Sequence, residues 1–365
     1  MRTTRGRVVH VGTLAELDRR AARGGVIASW RVHDLDLTGR EAVLDGLAVA
    51  GASFLGCTFA PGQVDRLRAR GALVLPAAGD VPVDVHRRSL YTATELYDAA
   101  TWATGLDGRA YAWSQTPGGP DAALARALHD HAIDEALTAW VARRRLVGVM
   151  GGHAWRRDEP DYLDAVHLGR VLGAAGLVVA TGGGPGAMEA ANLGAWLADE
   201  PAGAVAEAVA MLAPVPTFRP SVDDWARSAF TVRDRFTRPR DSLAVPTWHY
   251  GHEPPHVFGT AIAKYFRNAT REAILLQVCG AGIIFLTGAA GTVQEVFQDA
   301  CENYYAQEGT VAPMVLVGRE YWTETLPAWP LLQAMARGRA MQRHVHLVDT
   351  LDEAAALVSR PAARG

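Results

Sequence analysis

Short apolar runs separated by amphipathic stretches fill the chain from about residue 146 onward. The runs are LVGVM, LVVAT, LAVPTW, GIIFLT, PMVLVG and HVHLV, and the segments between them have helical spacing of apolar positions. Buried strands that alternate with helices are typical of a parallel sheet covered on both faces. The pattern therefore predicts an α/β fold, with a Rossmann-like, doubly wound parallel sheet over residues 146–365.

Residues 1–106 follow a different pattern, and we expect a smaller N-terminal domain there. Within it, apolar residues recur at every fifth position. The recurring positions form two sets, which are Leu44, Val49, Phe54 and Phe59, and Ala42, Leu47, Ala52 and Cys57. This spacing resembles a few rungs of a pentapeptide-repeat β-helix. An ordinary strand and turn with chance spacing explains the pattern equally well.

Residues 107–145 are predicted to form a connecting helical segment. A PGGP turn is followed by LARALHDHAIDEALTAWVARRR, which has helical periodicity. The helix carries His129, His131, Asp134 and Glu135. Such side chains usually form the solvated face of a surface helix, so we assign no site to them.

Composition narrows the classes of function. The 365 residues are 49% hydrophobic and 21% charged, and the formal net charge is −3. These values disfavour a disordered chain and a nucleic-acid-binding surface. No apolar run reaches the roughly 18 residues of a membrane helix, and the three cysteines form no CxxC pair. We expect a cytoplasmic protein with neither a nucleic-acid nor a membrane partner.

Two glycine-rich segments follow predicted strands and precede predicted helices. Residues 178–195 read VVATGGGPGAMEAANLGA, and a second loop lies at Gly288–Thr292. Glycines at such a junction permit positive φ, and the helix N-terminus offers unpaired N–H donors to an anion. Gly182, Gly184 and Ala187 also satisfy the dinucleotide fingerprint GxGxxA, but no acidic residue ends the next strand. Two anion loops favour a nucleotide or a sugar phosphate instead.

Four segments together resemble the Lonely-Guy (LOG) family of nucleotide phosphoribohydrolases, in a larger bacterial form with an N-terminal extension. They are VGVMGG, VVATGGGPGAMEAANLGA, TREAILLQ and GIIFLTGAAGTVQE, within roughly residues 146–350. Thr287 and Ala289 depart from the family's PGGxGTxxE motif. The resemblance implies hydrolysis of the N-glycosidic bond of a nucleoside 5′-monophosphate to free base and ribose 5-phosphate, with no cofactor and no metal.

The resemblance implies two catalytic residues, Glu295 and Arg271, with Arg267 as a second choice for the arginine. A carboxylate suits the reaction because cleavage builds positive charge on the sugar, and the carboxylate also orients water. Thr292 and Glu295 alternatively fit a T-x-x-E capping box, in which the glutamate only caps a helix. The spacing alone favours the cap, whereas the resemblance favours catalysis.

The loops and the resemblance together predict the residues that contact the substrate. His153 departs from the small or hydroxylated residues common in the family, and Glu189 could alternatively serve as a favourable charge at a helix N-terminus. The predicted contacts are Gly151, Gly152, His153, Gly183, Gly184, Gly186, Met188, Glu189, Asn192, Gly288, Gly291 and Thr292.

The segment TWHYGHEPPH contains His249, His252 and His256, which have the chemistry of metal ligands. Its Pro-Pro pair prevents a continuous helix from aligning them, so we expect no metal. We expect a loop over the ligand, with Trp248 or Tyr250 available to stack on a base. Lysine decarboxylation is disfavoured, because the single Lys264 lies in a helix-like stretch without a pyridoxal signature.

A helix predicted from Val257 to Val278 has apolar residues on more than one stripe. A second apolar stripe usually packs against something, so a homodimer or a dimer of dimers is expected, as in the LOG family. Two other classes of function stay open. One is a binding protein of the same fold, similar to the molybdenum-cofactor carriers, and the other is a regulatory or scaffold protein, which the N-terminal residues suggest.

Overall fold

The structure of the chain is a computed structural model, and it describes residues 8–75, 79, 81–250 and 253–359. The chain divides into two compact units, which are described separately. The first unit comprises residues Met1–His86 and Gly118–His129, and the second comprises Arg87–Pro117 and Asp130–Gly365. The domain boundaries expected after residues 106 and 145 stay a prediction, because the division into compact units does not show which segment folds alone.

The first unit contains a four-stranded parallel sheet in the order β1-β2-β3-β4. The strands are β1 Val9–Val11, β2 Trp30–His33, β3 Ser53–Leu55 and β4 Leu73–Leu75, and the helices are α1 Leu14–Ala21, α2 Glu41–Asp45 and α3 Gln63–Ala69. One buried residue from each strand lies in the same core cluster, namely Val11, Val32, Phe54 and Val74.

The stacking expected from the five-residue spacing is present, but the stacked unit is not a pentapeptide. Paired residues on neighbouring strands are 21, 22 and 20 positions apart along the chain, as in Val9 with Trp30, Arg31 with Ser53, and Ser53 with Leu73. Leu44 and Val49 are buried as predicted, whereas Ala42 is exposed. Ala42 lies in α2, whose helical geometry interrupts the five-residue spacing.

The second unit contains a seven-stranded parallel sheet in the order β11-β10-β9-β5-β6-β7-β8. Its strands are β5 Leu146–Met150, β6 Val178–Thr181, β7 Ser242–Ala244, β8 Ala261–Ile262, β9 Ile283–Phe285, β10 Met314–Val317 and β11 Val345–Val348. On one side of the central β5, the strands β6, β7 and β8 follow in chain order. On its other side β9 pairs with β5, and β10 and β11 follow beyond β9. The doubly wound parallel sheet predicted from the sequence is confirmed.

Helices connect and cover these strands. They are α4 Ala93–Leu96, α5 Leu106–Gln115, α6 Pro120–Val141, α7 Pro160–Ala174, α8 Ala187–Trp196, α9 Ala204–Leu212, α10 Val222–Arg235, α11 Asn268–Val278, α12 Ala290–Tyr305, α13 Ala328–Ala336 and α14 Leu351–Ser359. The α6 helix is divided between the two units, which meet along the chain between His129 and Asp130. Within the described residues, none of the helices combines the length and the apolar character that crossing a bilayer requires.

The α6 helix is less solvated than its charged residues suggested. His129 is fully buried, and Asp134 accepts a hydrogen bond of 2.8 Å from the hydroxyl of Tyr265. His131 is exposed, as expected. The solvated-face interpretation is therefore wrong for His129, which is buried, whereas Asp134 is partly buried against Tyr265.

The helix predicted from Val257 to Val278 is wrong over its first half. Residues 261–262 form β8, which pairs with β7, and the helix α11 begins only at Asn268. The carboxylate of Asp130 accepts hydrogen bonds from the backbone N–H groups of Phe266 and Arg267, each at 2.9 Å, and so holds the backbone just before α11. Val257, Ile262 and Ala263 are buried and lie outside the helix, so they form no stripe on it, and the expected dimer stays a prediction.

Lys264 is also placed differently from the prediction. Its side chain is 2% exposed and forms an ion pair with Asp107, which is itself 1% exposed. Burial lowers the pKa of Lys264, and the charge of Asp107 opposes that shift. The single lysine therefore joins α5 to the sheet edge next to β8 and has a structural role.

Candidate functional site

A cavity of about 640 Å³ opens at the carboxyl ends of β5 and β9. The strand order reverses between these two strands, and open α/β sheets bind ligands in the crevice at such a reversal. Residues 150–155, after β5, and 287–292, after β9, form two of its walls. The other walls come from side chains on α8, α11 and α12, from the loop after β7, and from Tyr321.

Glu295 and Arg271 face each other inside this cavity. Glu295 lies in the second turn of α12 and Arg271 in the first turn of α11. Arg271 Nη1 lies 3.7 Å from Glu295 Oε1, and the side chains are 10% and 16% exposed. Burial raises the pKa of Glu295 from 4.5 to about 7, although the charge of Arg271 opposes the rise. A buried carboxylate that titrates near neutrality, held against a cation in a cavity, is typical of functional sites.

The capping-box alternative for Glu295 is wrong. The N-cap of α12 is Ala289, and no side chain caps this end of the helix. Thr292 and Glu295 therefore lie inside the helix, where neither can form the reciprocal bonds of a capping box. The T-x-x-E spacing predicts an N-cap at Thr292, but the N-cap of α12 lies three residues earlier, at Ala289.

The N-terminus of α12 opens into the cavity. Ala290, Gly291 and Thr292 lie in the first turn of the helix and line the cavity. The first backbone N–H groups of a helix have no intrahelical partner and attract negative charge. Tyr321 donates a hydrogen bond of 2.5 Å to the carbonyl of Gly288, which fixes the loop before the helix.

The TGGGPG loop lies beside the cavity, and Gly186 lines a smaller neighbouring pocket of about 290 Å³. Its predicted contact with a ligand stays a prediction. Gly183, Gly184 and Gly186 are buried and do not line the cavity. Gly183 and Gly186 have φ of 78° and 71°, which favours glycine. A Cβ at Gly186 would lie 2.5 Å from the carbonyl oxygen of Gly152. That carbonyl accepts a hydrogen bond of 3.0 Å from the N–H of Ala187 and so occupies the N-terminus of α8.

Glu189 and Asn192 are also buried and do not line this cavity, although Glu189 borders the smaller pocket. The carboxylate of Glu189 forms hydrogen bonds of 3.0 and 2.5 Å with Arg157, and both side chains are 1% exposed. Asn192 accepts a hydrogen bond of 2.7 Å from Thr181 and donates one of 3.3 Å to the carbonyl of Leu243. These contacts tie α8 to the strands and loops around it.

The other predicted residues come together at the cavity. They are Gly151, Gly152, His153, Met188, Gly288, Gly291, Thr292, Arg271 and Glu295. Tyr250 also lines the cavity, as expected for a ring that could stack on a base. The same expectation is wrong for Trp248, which is 1% exposed, stacks on Phe266 and donates a hydrogen bond to Asp107.

Of the histidines in the segment after β7, His249 and His256 lie within the described residues. His256 is fully buried, and burial lowers its pKa to about 3. Its backbone N–H donates 2.9 Å to the carbonyl of Gly183, which supports the TGGGPG loop. His252 lies outside the described residues. Among the residues that the structure describes, no three His, Cys, Asp or Glu side chains are placed to hold a metal ion.

Sequence reasoning missed several side chains that line the cavity, among them Trp155, Glu253, Glu272 and Tyr321. Trp155 and Tyr321 follow the ends of β5 and β10, so the strand-end rule could have indicated both. Glu272 directly follows Arg271, which the motif did indicate. Glu253 lies in the loop after β7, and no motif marks it.

Residues 144–204 match the sequence profile of the SLOG cluster4 family. This segment contains β5, α7, β6 and the TGGGPGAMEAAN loop. No curated protein sequence matches the chain.

Solved structures similar to this chain include two molybdenum cofactor proteins. One is the molybdenum cofactor binding protein from the phototrophic bacterium Rippkaea orientalis, with 16% identity, a TM-score of 0.37, and coverage of 59% of this chain and 96% of that one. The other is the molybdenum cofactor carrier protein of Chlamydomonas reinhardtii, with 18% identity, a TM-score of 0.37, and coverage of 61% and 100%. At this level of similarity neither structure says what this chain binds.

Proposed function

We propose that the protein hydrolyses the N-glycosidic bond of a nucleoside 5′-monophosphate and releases the free base and ribose 5-phosphate. The observation that carries this proposal is the carboxylate of Glu295, which is 16% exposed, lies 3.7 Å from Arg271 and has a pKa of about 7. It shares a single cavity with the open N-terminus of α12. The cavity thus offers a carboxylate for the sugar and N–H donors for a phosphate.

The chemistry follows from these two ends of the cavity. The phosphate binds the first N–H groups of α12, which places the ribose beside Glu295. As the bond to the base breaks, C1′ becomes positively charged, and ionised Glu295 stabilises that charge and orients the attacking water. Arg271 favours the ionised form, because its charge lowers the pKa of the carboxyl. The base leaves with the bonding electron pair, water supplies hydroxyl to C1′, and its proton goes to the base.

The test is to incubate the purified protein with a panel of nucleoside 5′-monophosphates and to measure free base by chromatography. Glu295→Gln keeps the shape of the side chain and removes its charge, so base release should fall by about 100-fold or more. Asp299→Asn is the matched control, because Asp299 is buried one turn further along α12 and does not line the cavity. Near wild-type turnover in Glu295→Gln would contradict the proposal.

A second candidate is a protein that binds the nucleotide without cleaving it. Ala289 favours this candidate, since it puts a methyl group at the N-cap that lines the anion site, where the LOG motif has glycine. Calorimetry on the wild-type protein separates the two candidates. Binding of a nucleoside monophosphate that is never followed by base release would identify a binding protein.

A further inference from the structure

The guanidinium of Arg271 has a buried donor that none of the described residues engages. The side chain is 10% exposed and lines the cavity. Its Nε is buried, and among the described residues no acceptor forms a hydrogen bond with it. Nη1 lies 3.7 Å from Oε1 of Glu295, which suits an ion pair but is too long for a hydrogen bond. Buried polar groups without a partner are rare in folded proteins, so this donor calls for an explanation.

The guanidinium lies beside the carboxyl end of β6, next to the strand ends where the cavity opens. Gly182 directly follows β6, and a Cβ on it would lie 3.6 Å from Nη1 and 3.9 Å from Nη2 of Arg271. The glycine therefore leaves room for the guanidinium at this strand end. A guanidinium has five N–H donors and no acceptor. A ligand that completes its hydrogen bonding must therefore supply acceptors.

The base of the proposed substrate supplies such acceptors. With the phosphate at α12 and C1′ beside Glu295, the group bonded to C1′ is next to that carboxylate and to the guanidinium opposite it. That group is the base, whose ring nitrogens and carbonyl oxygens accept hydrogen bonds. In guanine, for example, N7 and O6 can both accept from one arginine. We propose that Arg271 donates hydrogen bonds to the base and stabilises it as it leaves.

The electron balance of the cleavage explains why the base needs this donor. The bond from C1′ to the base nitrogen breaks, and its electron pair stays on the base. Water forms the new bond to C1′, and the proton of that water ends on the base. Until the proton arrives the base carries negative charge, so donors that contact it bind more strongly in the transition state than in the ground state. The guanidinium keeps its own protons throughout.

This inference rests on the proposed function, and two nucleotides that differ in the charge of the leaving base test it. Guanosine 5′-monophosphate releases its base with a negative charge, whereas the base of 7-methylguanosine 5′-monophosphate is cationic and leaves as a neutral group. The assay measures kcat/KM for base release, after subtraction of the uncatalysed rate. Arg271→Ala should lose about 100-fold on guanosine 5′-monophosphate. On the methylated nucleotide it should lose about threefold or less.

Arg267→Ala is the matched control, because it removes the same charge from the exposed residue that precedes α11. It should leave kcat/KM for both nucleotides unchanged. If Arg271 acts only through the pKa of Glu295, Arg271→Ala will lose the same factor on both nucleotides, because both need an ionised carboxylate. An equal loss, or a larger loss on the methylated nucleotide, overturns the inference and leaves the hydrolase proposal standing.

A binding measurement tests the same contact without turnover. Calorimetry on Glu295→Gln compares guanosine 5′-monophosphate with ribose 5-phosphate, which has no base. Adding Arg271→Ala should weaken the nucleotide about tenfold more than the sugar phosphate, because a hydrogen bond to a charged group changes an equilibrium constant by about that factor. Equal weakening would mean that Arg271 attracts the phosphate instead, and it would overturn the inference. If the difference is found but the wild-type protein releases no base from any nucleotide, the hydrolase proposal and the leaving-group role fail, and the contact with the base stands.

Discussion

Replacing Glu295 by glutamine should stabilise the protein above neutral pH while it abolishes base release. Burial raises the pKa of this carboxyl from 4.5 to about 7. In the unfolded chain the carboxyl keeps its ordinary pKa, so between those two values the folded state binds more protons than the unfolded state. The free energy of unfolding therefore falls as the pH rises through this window. Glutamine stays neutral at every pH and removes that loss.

The size of the pKa shift determines the size of the stabilisation. At about 1.4 kcal/mol for each pKa unit, the rise from 4.5 to about 7 corresponds to about 3 kcal/mol above pH 7 and to almost nothing below pH 4.5. Asp299→Asn is again the control, because burial raises the pKa of Asp299 from 3.8 to about 7. It should stabilise the protein by about 4 kcal/mol above pH 7 and keep base release.

Thermal unfolding of the wild-type protein and both variants, at about pH 5 and about pH 9, measures the effect. Both variants should melt several degrees above the wild type at the higher pH and close to it at the lower pH. Equal melting temperatures at both pH values would refute the argument that burial of the charge is costly. Loss of base release in Asp299→Asn would show that a disturbed α12, and not the missing carboxylate, inactivates Glu295→Gln.

Three further results are expected. Arg271→Ala should move the acidic limb of the pH–rate profile to higher pH, because the guanidinium lowers the pKa of Glu295. Arg267 is exposed, so Arg267→Ala should leave the profile unchanged. Equal small effects of the two substitutions would mean that the wrong arginine was assigned. A nucleoside should be cleaved far more slowly than its 5′-monophosphate, because the N-terminus of α12 binds an anion, and equal rates would contradict that role. Light scattering should give a multiple of the single-chain mass of 39.0 kDa, as expected from the LOG resemblance, and a monomer with full activity would refute the dimer.

The amino-acid sequence alone determined the doubly wound sheet and the location of the cavity. Both depend on local order along the chain, since apolar runs that alternate with helices form a parallel sheet, and its ligands bind where the strands end. The resemblance carried by TREAILLQ and TGAAGTVQE predicted that Arg271 would be the partner of Glu295, and the two lie 3.7 Å apart. Each of these predictions used signals that lie close together in the sequence.

Only the tertiary structure decided which polar groups face the cavity and which are buried. The carbonyl of Gly152, which is distant in sequence, accepts a hydrogen bond from the N–H of Ala187 at the start of α8. Asp130 holds the backbone just before α11, and Asp107 pairs with Lys264. Burial, which gives Glu295 a pKa of about 7, likewise depends on neighbours from several strands and helices. A sequence shows the donors and acceptors that a chain has, but the fold decides which of them are already engaged.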